Sequence, residues 1–194
     1  MSNVAVLFAR ANSIYKSMAN TDVWDIERDA RKWGGGSPIV AHPPCRAWGR
    51  LSHMAKPRYD EKALATWSID KIRQYGGVLE HPASSKLWLE YMLPEPNQID
   101  EFGGYTLVVS QWWWGHKALK NTRLYICGVK PADLPVIPYL MGTPDFVIAS
   151  SIRGGKSAGK HWCSMAEREM TPPLFAQWLV DVAKLCRVEI KASE

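Results

Sequence analysis

The sequence predicts an α/β domain built on a mostly parallel sheet with helices on both faces. Three observations carry this expectation. Short β-branched, apolar runs alternate along the chain with segments whose apolar residues recur at helical spacing. Glycine and proline punctuate the ends of those runs. Over 194 residues, 46% hydrophobic against 22% charged is the balance of one globular domain with a substantial core. Residues 1–194 are therefore read as a single domain, with no internal repeat and no dividing linker.

Residues 4–8 are an apolar run that reads as the first strand, and Ser13 is placed to cap a short helical segment over 14–18. Residues 22–26 read as the second strand and 27–33 as a short helix. Gly34, Gly35 and Gly36 make a turn, and 38–41 is a third strand that stops at Pro43 and Pro44. Leu64, Trp67, Ile69 and Ile72 predict a helix over 60–75, closed by Gly76 and Gly77. A brief strand over 78–80, a helix over 84–92 and a loop over 94–104 follow. Residues 105–110 and 123–129 read as strands, rich in β-branched and aromatic residues. From about 130 to 165 the chain is an irregular excursion with a basic tip carrying Arg153, Lys156 and Lys160. A last helix over about 172–187 opens with Thr171 as cap and proline in its first turn. Ligands of such sheets gather at the carboxyl ends of strands. Both Pro43-Pro44-Cys45 and Glu80-His81-Pro82 follow strand ends.

The net charge of +5 suits a polyanionic partner, and rings such as Trp112, Trp113 and Trp114 are available either to stack on bases or to pack a core. The four cysteines, Cys45, Cys127, Cys163 and Cys186, are far apart and read as free thiols. No apolar stretch is long enough for a bilayer and the start lacks the features of a secretory signal, so no membrane association and a cytoplasmic location are expected. No second metal-ligand pair stands at finger spacing from His42 and Cys45, and no metal is expected.

Four segments, in order, resemble the signature blocks of DNA cytosine-C5 methyltransferases. Pro43-Pro44-Cys45-Arg46 is similar to the Pro-Cys-Gln block that bears the family's nucleophile, with Arg46 where Gln is usual. Leu79-Glu80-His81-Pro82 resembles the Glu-Asn-Val or Glu-Asn-Pro block, with His81 replacing Asn. The stretch from Trp114-Gly115-His116 through Arg123-Leu124-Tyr125-Ile126 resembles the block that leads from a turn through basic residues into a strand. Thr171-Pro172-Pro173-Leu174 resembles the Val-Pro-Pro-Leu helix start. The resemblance implies a reduced, Rossmann-like domain of the class I methyltransferase type, acting on cytosine in DNA that is single-stranded or has its base flipped.

Within that resemblance Cys45, Glu80 and Arg123 are the catalytic candidates. C5 of cytosine becomes nucleophilic once a thiolate adds at C6 while an acid engages N3. Cys45 and Glu80 fit those duties, with Arg46, Arg50 or a helix N-terminus expected to favour the thiolate and Glu80 expected to be desolvated enough to hold a proton. Arg123, with Lys120 as a second cation, would meet a ring carbonyl or a phosphate. Taken singly, each has a plainer reading: a small buried hydrophobe for Cys45, surface charges for Glu80 and Arg123. Arg46, Arg50, Lys120, Arg153, Lys156 and Lys160 are the candidate nucleic-acid contacts.

The implied cofactor is S-adenosylmethionine, with Phe8, Ala9, Arg10, Asn12, Asp25 and Pro43 as its candidate contacts. Phe8-Ala9-Arg10-Ala11-Asn12-Ser13 stands where the family has Phe-Ala-Gly-x-Gly-Gly, and Asp25 where an acid holds the ribose hydroxyls. One strand between that acid and the Pro-Cys block is missing. The stretch between Gly128 and Thr171 is too short for a separate target-recognition domain, so specificity is expected to be low or to come from a protein partner. Three functions are consistent with these features: a minimal cytosine-C5 methyltransferase, a pyrimidine-C5 enzyme using another donor or a free nucleotide, and a noncatalytic DNA-binding or anti-restriction relative.

Overall fold

A computed structural model describes residues 3–49, 52–148 and 159–188. Its centre is a six-stranded sheet made of β1 (Val4–Leu7), β2 (Thr21–Trp24), β3 (Ile39–Ala41), β4 (Gly77–Pro82), β5 (Tyr105–Ser110) and β6 (Asn121–Cys127) in the order β2-β1-β3-β4-β6-β5. β2, β1, β3 and β4 pair in parallel, and β6 runs antiparallel between β4 and β5. The sheet is thus mostly parallel, as expected. No strand separates β2 from β3 in the chain, which is the strand missing from the sequence.

The helices are α1 (Glu61–Tyr75), a single turn α2 (Leu87–Glu90), α3 (Met165–Glu169) and α4 (Pro173–Leu185). Strand alternation sorts the core into two clusters. Val4, Val6, Val40 and Val78 pack with Phe175, Leu179 and Val182 of α4, whereas Ala5, Leu7, Ile39, Ala41 and Leu79 pack with Ala65, Ile69 and Ile72 of α1. Successive strand residues point to opposite sides, so α4 and α1 cover opposite faces. Gly77 allows the close approach of β3 and β4: a Cβ there would run into the Ile39 carbonyl.

Several boundaries differ from the expectation, each for a local reason. The segments expected as helices over 14–18 and 27–33 are 3-10 turns, Ile14–Ser17 and Ala30–Lys32, because neither has the length to propagate an α-helix. Ser13 does cap the first, accepting from the Tyr15 N–H. Of the helix expected over 84–92 only α2 forms. Pro172 rather than Thr171 occupies the cap of α4, with no side-chain cap bond. The excursion holds a two-stranded ribbon of β7 (Phe146–Val147) and β8 (His161–Trp162), and at its end stands α3, unforeseen, although Ser164-Met165-Ala166-Glu167 spells its capping box. Trp114 is core, wedged against Phe175 and Trp178 with ring centroids 4.9 and 5.2 Å away, and Trp113 packs on Tyr139. No helix among the described residues is long and apolar enough to cross a membrane.

Candidate active site

A cleft of about 1120 Å³ opens at the carboxyl ends of β1, β3 and β4. Parallel strands deliver their loops to one rim, and β6, running the other way, delivers its first residues there. Phe8–Ser13 leave β1, His42–Arg46 leave β3, Glu80 and Pro82 end β4, Leu119–Thr122 enter β6, and α3 with Thr171 and Pro173 closes one side. All four segments that resemble signature blocks therefore share one cavity with the loop after β1. Phe8 takes a left-handed backbone conformation, φ 61°, where a bulky residue is strained. Its ring is held edge-on to Trp67, 5.9 Å away.

Glu80 is the most heavily tethered side chain of the cleft. Its Oε2 accepts from His42 Nδ1 at 3.0 Å, and its Oε1 accepts from Gln111 Nε2 and Thr122 Oγ1, both at 3.1 Å. Gln111 Nε2 also donates to Thr122 Oγ1 at 3.0 Å, which commits the threonine hydrogen to Glu80. On the far side of His42, Nε2 lies 2.9 Å from the hydroxyl of Tyr15, itself fully buried. Burial pushes the Glu80 carboxyl up, but the His42 hydrogen bond and the charges of His42, Lys120 and His81 outweigh it and hold it at about 2. The expectation of a protonated Glu80 is therefore corrected: two directed donors on Oε1 and this lowered value make it a carboxylate.

Cys45 is exposed at the end of the β3 loop, ahead of a single 3-10 turn, Arg46–Trp48. Desolvation by the surrounding walls pushes its thiol up, and the Glu80 charge adds to this, more than Lys120 offsets. The expected activation by Arg46 is absent. Arg46 Nε turns away to Glu61, at 2.6 and 2.9 Å from its two oxygens, and Glu61 is completely buried in the first turn of α1. A buried carboxylate claims the nearest free guanidinium. Arg50 lies outside the described residues.

Arg123 is not in the cleft. In the β4–β6 register Glu80 faces Leu124 while His81 faces Arg123, and opposed residues of an antiparallel pair share a face. Arg123 thus sits on the other side of the sheet from Glu80. It donates to the Pro94 carbonyl at 2.7 Å and Thr106 Oγ1 at 3.0 Å, and stacks on Trp88, 5.1 Å away. His81 shares that face, buried against Trp88, and burial brings its imidazole down to about 4. Lys120 does line the cleft, beside Arg10, which pairs with Glu169, and Arg46, and its Nζ donates to the Met170 carbonyl at 3.0 Å. Desolvation lowers its ammonium while Glu80 works against that shift.

Of the expected cofactor contacts, Phe8, Ala9, Arg10, Asn12 and Pro43 line the cleft. Asp25 does not. Its oxygens are filled by Lys16 Nζ at 2.6 Å and by the N–H groups of Glu27 and Arg28, away from the cavity. Lys160 donates to the Pro144 carbonyl and serves the ribbon rather than the cleft. Arg153 and Lys156 lie outside the described residues. Tyr15, His42, Gln111 and Thr122 are the site residues the sequence reading missed. His42 was adjacent to the nucleophile motif, whereas Gln111 and Thr122 are found only through strand register.

No family model, curated protein or solved structure matches the chain.

Proposed function

We propose that the protein modifies C5 of a pyrimidine base through covalent addition of Cys45 at C6, in the manner of DNA cytosine-C5 methyltransferases. The observation that supports this reading is convergence: four separated blocks and the loop after β1 line one cleft at the carboxyl ends of the strands. In this reading Cys45 is the nucleophile. Glu80, immobilised by His42, Gln111 and Thr122, grips the N3 edge of the ring. Lys120, in place of Arg123, supplies the positive charge to a ring carbonyl. The base reaches so deep a site only when flipped or single-stranded, and DNA is the proposed carrier. With only a 3-10 turn, a ribbon and α3 described between β6 and α4, sequence preference is low or falls to a protein partner.

S-adenosylmethionine placed as in the family does not fit these residues. Asp25, the acid expected at the ribose, has its oxygens occupied outside the cleft, and Arg10 stands in the glycine loop. This favours, as the second reading, a C5 enzyme that uses a different one-carbon donor.

Addition at C6 has a consequence that needs no donor. The Cys45 thiol proton passes to solvent, the S–C6 bond forms and the C5–C6 π pair moves into the ring. C5 then takes a deuteron from D2O. Loss of the original C5 proton to water returns its pair to expel the thiolate, and the base leaves carrying deuterium. Pyrimidine-containing single-stranded oligonucleotides incubated in D2O are expected to gain C5 deuterium with the wild type and not with Cys45→Ala. Equal exchange by both proteins would remove Cys45 as nucleophile.

A further inference from the structure

The hydrogens around Glu80 can be counted. Gln111 Nε2 is a donor by chemistry. The Thr122 hydroxyl receives from Gln111 and so gives its hydrogen to Glu80. The Glu80 carboxylate only accepts, so His42 Nδ1, 3.0 Å from Oε2, carries a hydrogen aimed at it, and the Tyr15 hydroxyl lies 2.9 Å from Nε2 on the far side of the ring. Two donors fill Oε1 and one meets Oε2. A carboxylate has about four acceptor positions, so one remains, on Oε2. The group is an acceptor only.

A pyrimidine offers that acceptor one of two edges. At the N3 position that Glu80 is proposed to grip, neutral cytosine sets a lone pair against the carboxylate and has a donor only on the exocyclic N4 to one side; uracil has an N3–H there, flanked by two carbonyl oxygens. Lys120 Nζ spends one of its three hydrogens on the Met170 carbonyl and keeps two for such an oxygen. We infer that the cleft is built for a uracil-type ring, whose N3–H donates to Glu80 and one of whose carbonyls accepts from Lys120. This rests on the C5-addition reading above and narrows its substrate class. It also gives the ring a part in activation: an N–H bound to Glu80 screens the negative charge that opposes the Cys45 thiolate.

The test compares C5 deuterium uptake by deoxyuridine and deoxycytidine in otherwise identical single-stranded oligonucleotides, each corrected for exchange without protein. A parallel pair uses the free mononucleotides, to separate a base in DNA from a free nucleotide. Deoxyuridine is expected to exchange at least about tenfold faster in whichever carrier the cleft accepts, the ratio one lost hydrogen bond of about 1.4 kcal/mol produces. Glu80→Gln offers both a donor and an acceptor, so the ratio is expected to fall toward one, with a thermal melt confirming that the variant folds. Equal exchange, or faster exchange of deoxycytidine, overturns the uracil assignment and leaves C5 addition standing. No exchange with any of the four substrates overturns both.

Discussion

Glu80 shows how local chemistry sets what a residue does. The sequence places a glutamate at a strand end and suggests an acid. The structure surrounds it with three donors and makes it a carboxylate. Because its folded-state value, about 2, lies below the ordinary 4.5, the resulting stabilisation is complete above pH 4.5 and is lost as the pH falls toward 2. The difference in unfolding free energy between wild type and Glu80→Gln, measured by urea melts, is thus expected to be constant at neutral pH and to shrink by about 2 kcal/mol between pH 5 and pH 3. A difference that stays flat across this range would mean that folding does not lower the Glu80 pKa, and one that grows as the pH falls would mean that the carboxyl is held protonated in the fold. Cys45 and Glu80 were legible as neighbours in one cleft because each stands at or a few residues beyond the end of an apolar strand run. Their protonation states were not, since those depend on His42, Gln111 and Thr122, which arrive from distant parts of the chain.

At the scale of elements, one residue of register separates Lys120 and Thr122 from Arg123. Side chains alternate along β6, so Thr122 meets Glu80 while its neighbour crosses to the other face. A linear motif carries no such parity, and the arginine it highlights proves to be a buried brace between β6 and the loop at Pro94. Arg123→Ala is accordingly expected to destabilise the fold by about 2–4 kcal/mol, as lost charged hydrogen bonds to Pro94 and Thr106 require. The rate of C5 exchange per folded molecule is expected to stay unchanged. A large loss of exchange with little change in melting would return Arg123 to the site. α1 was readable to within one residue because fifteen positions of 3.6-residue spacing and a glycine stop agree. The single turns 14–17, 30–32 and 87–90 were not, since segments so short take their form from tertiary contacts.

Across the whole molecule, the alternation of apolar runs and helices was enough to indicate the mostly parallel sheet, and strand-end logic was enough to indicate the edge at which its cleft opens. Sequence did not reveal that the acid after β2 folds back on Lys16, because Asp25 looks the same whether it faces a ligand or a lysine. The cleft thus combines a carboxylate held by His42, Gln111 and Thr122 with an Asp25 turned away to Lys16. The claim on which the rest depends is that Cys45 bonds to C6 of the ring Glu80 holds. The most direct measurement is mass spectrometry of the protein after incubation with an oligonucleotide carrying 5-fluorodeoxyuridine and rapid acid quenching, followed by peptide mapping. The expected result is an adduct of one nucleotide chain per protein on the peptide containing Cys45, absent in Cys45→Ala. An adduct on Cys127, Cys163 or Cys186, or one that persists in Cys45→Ala, would contradict the account.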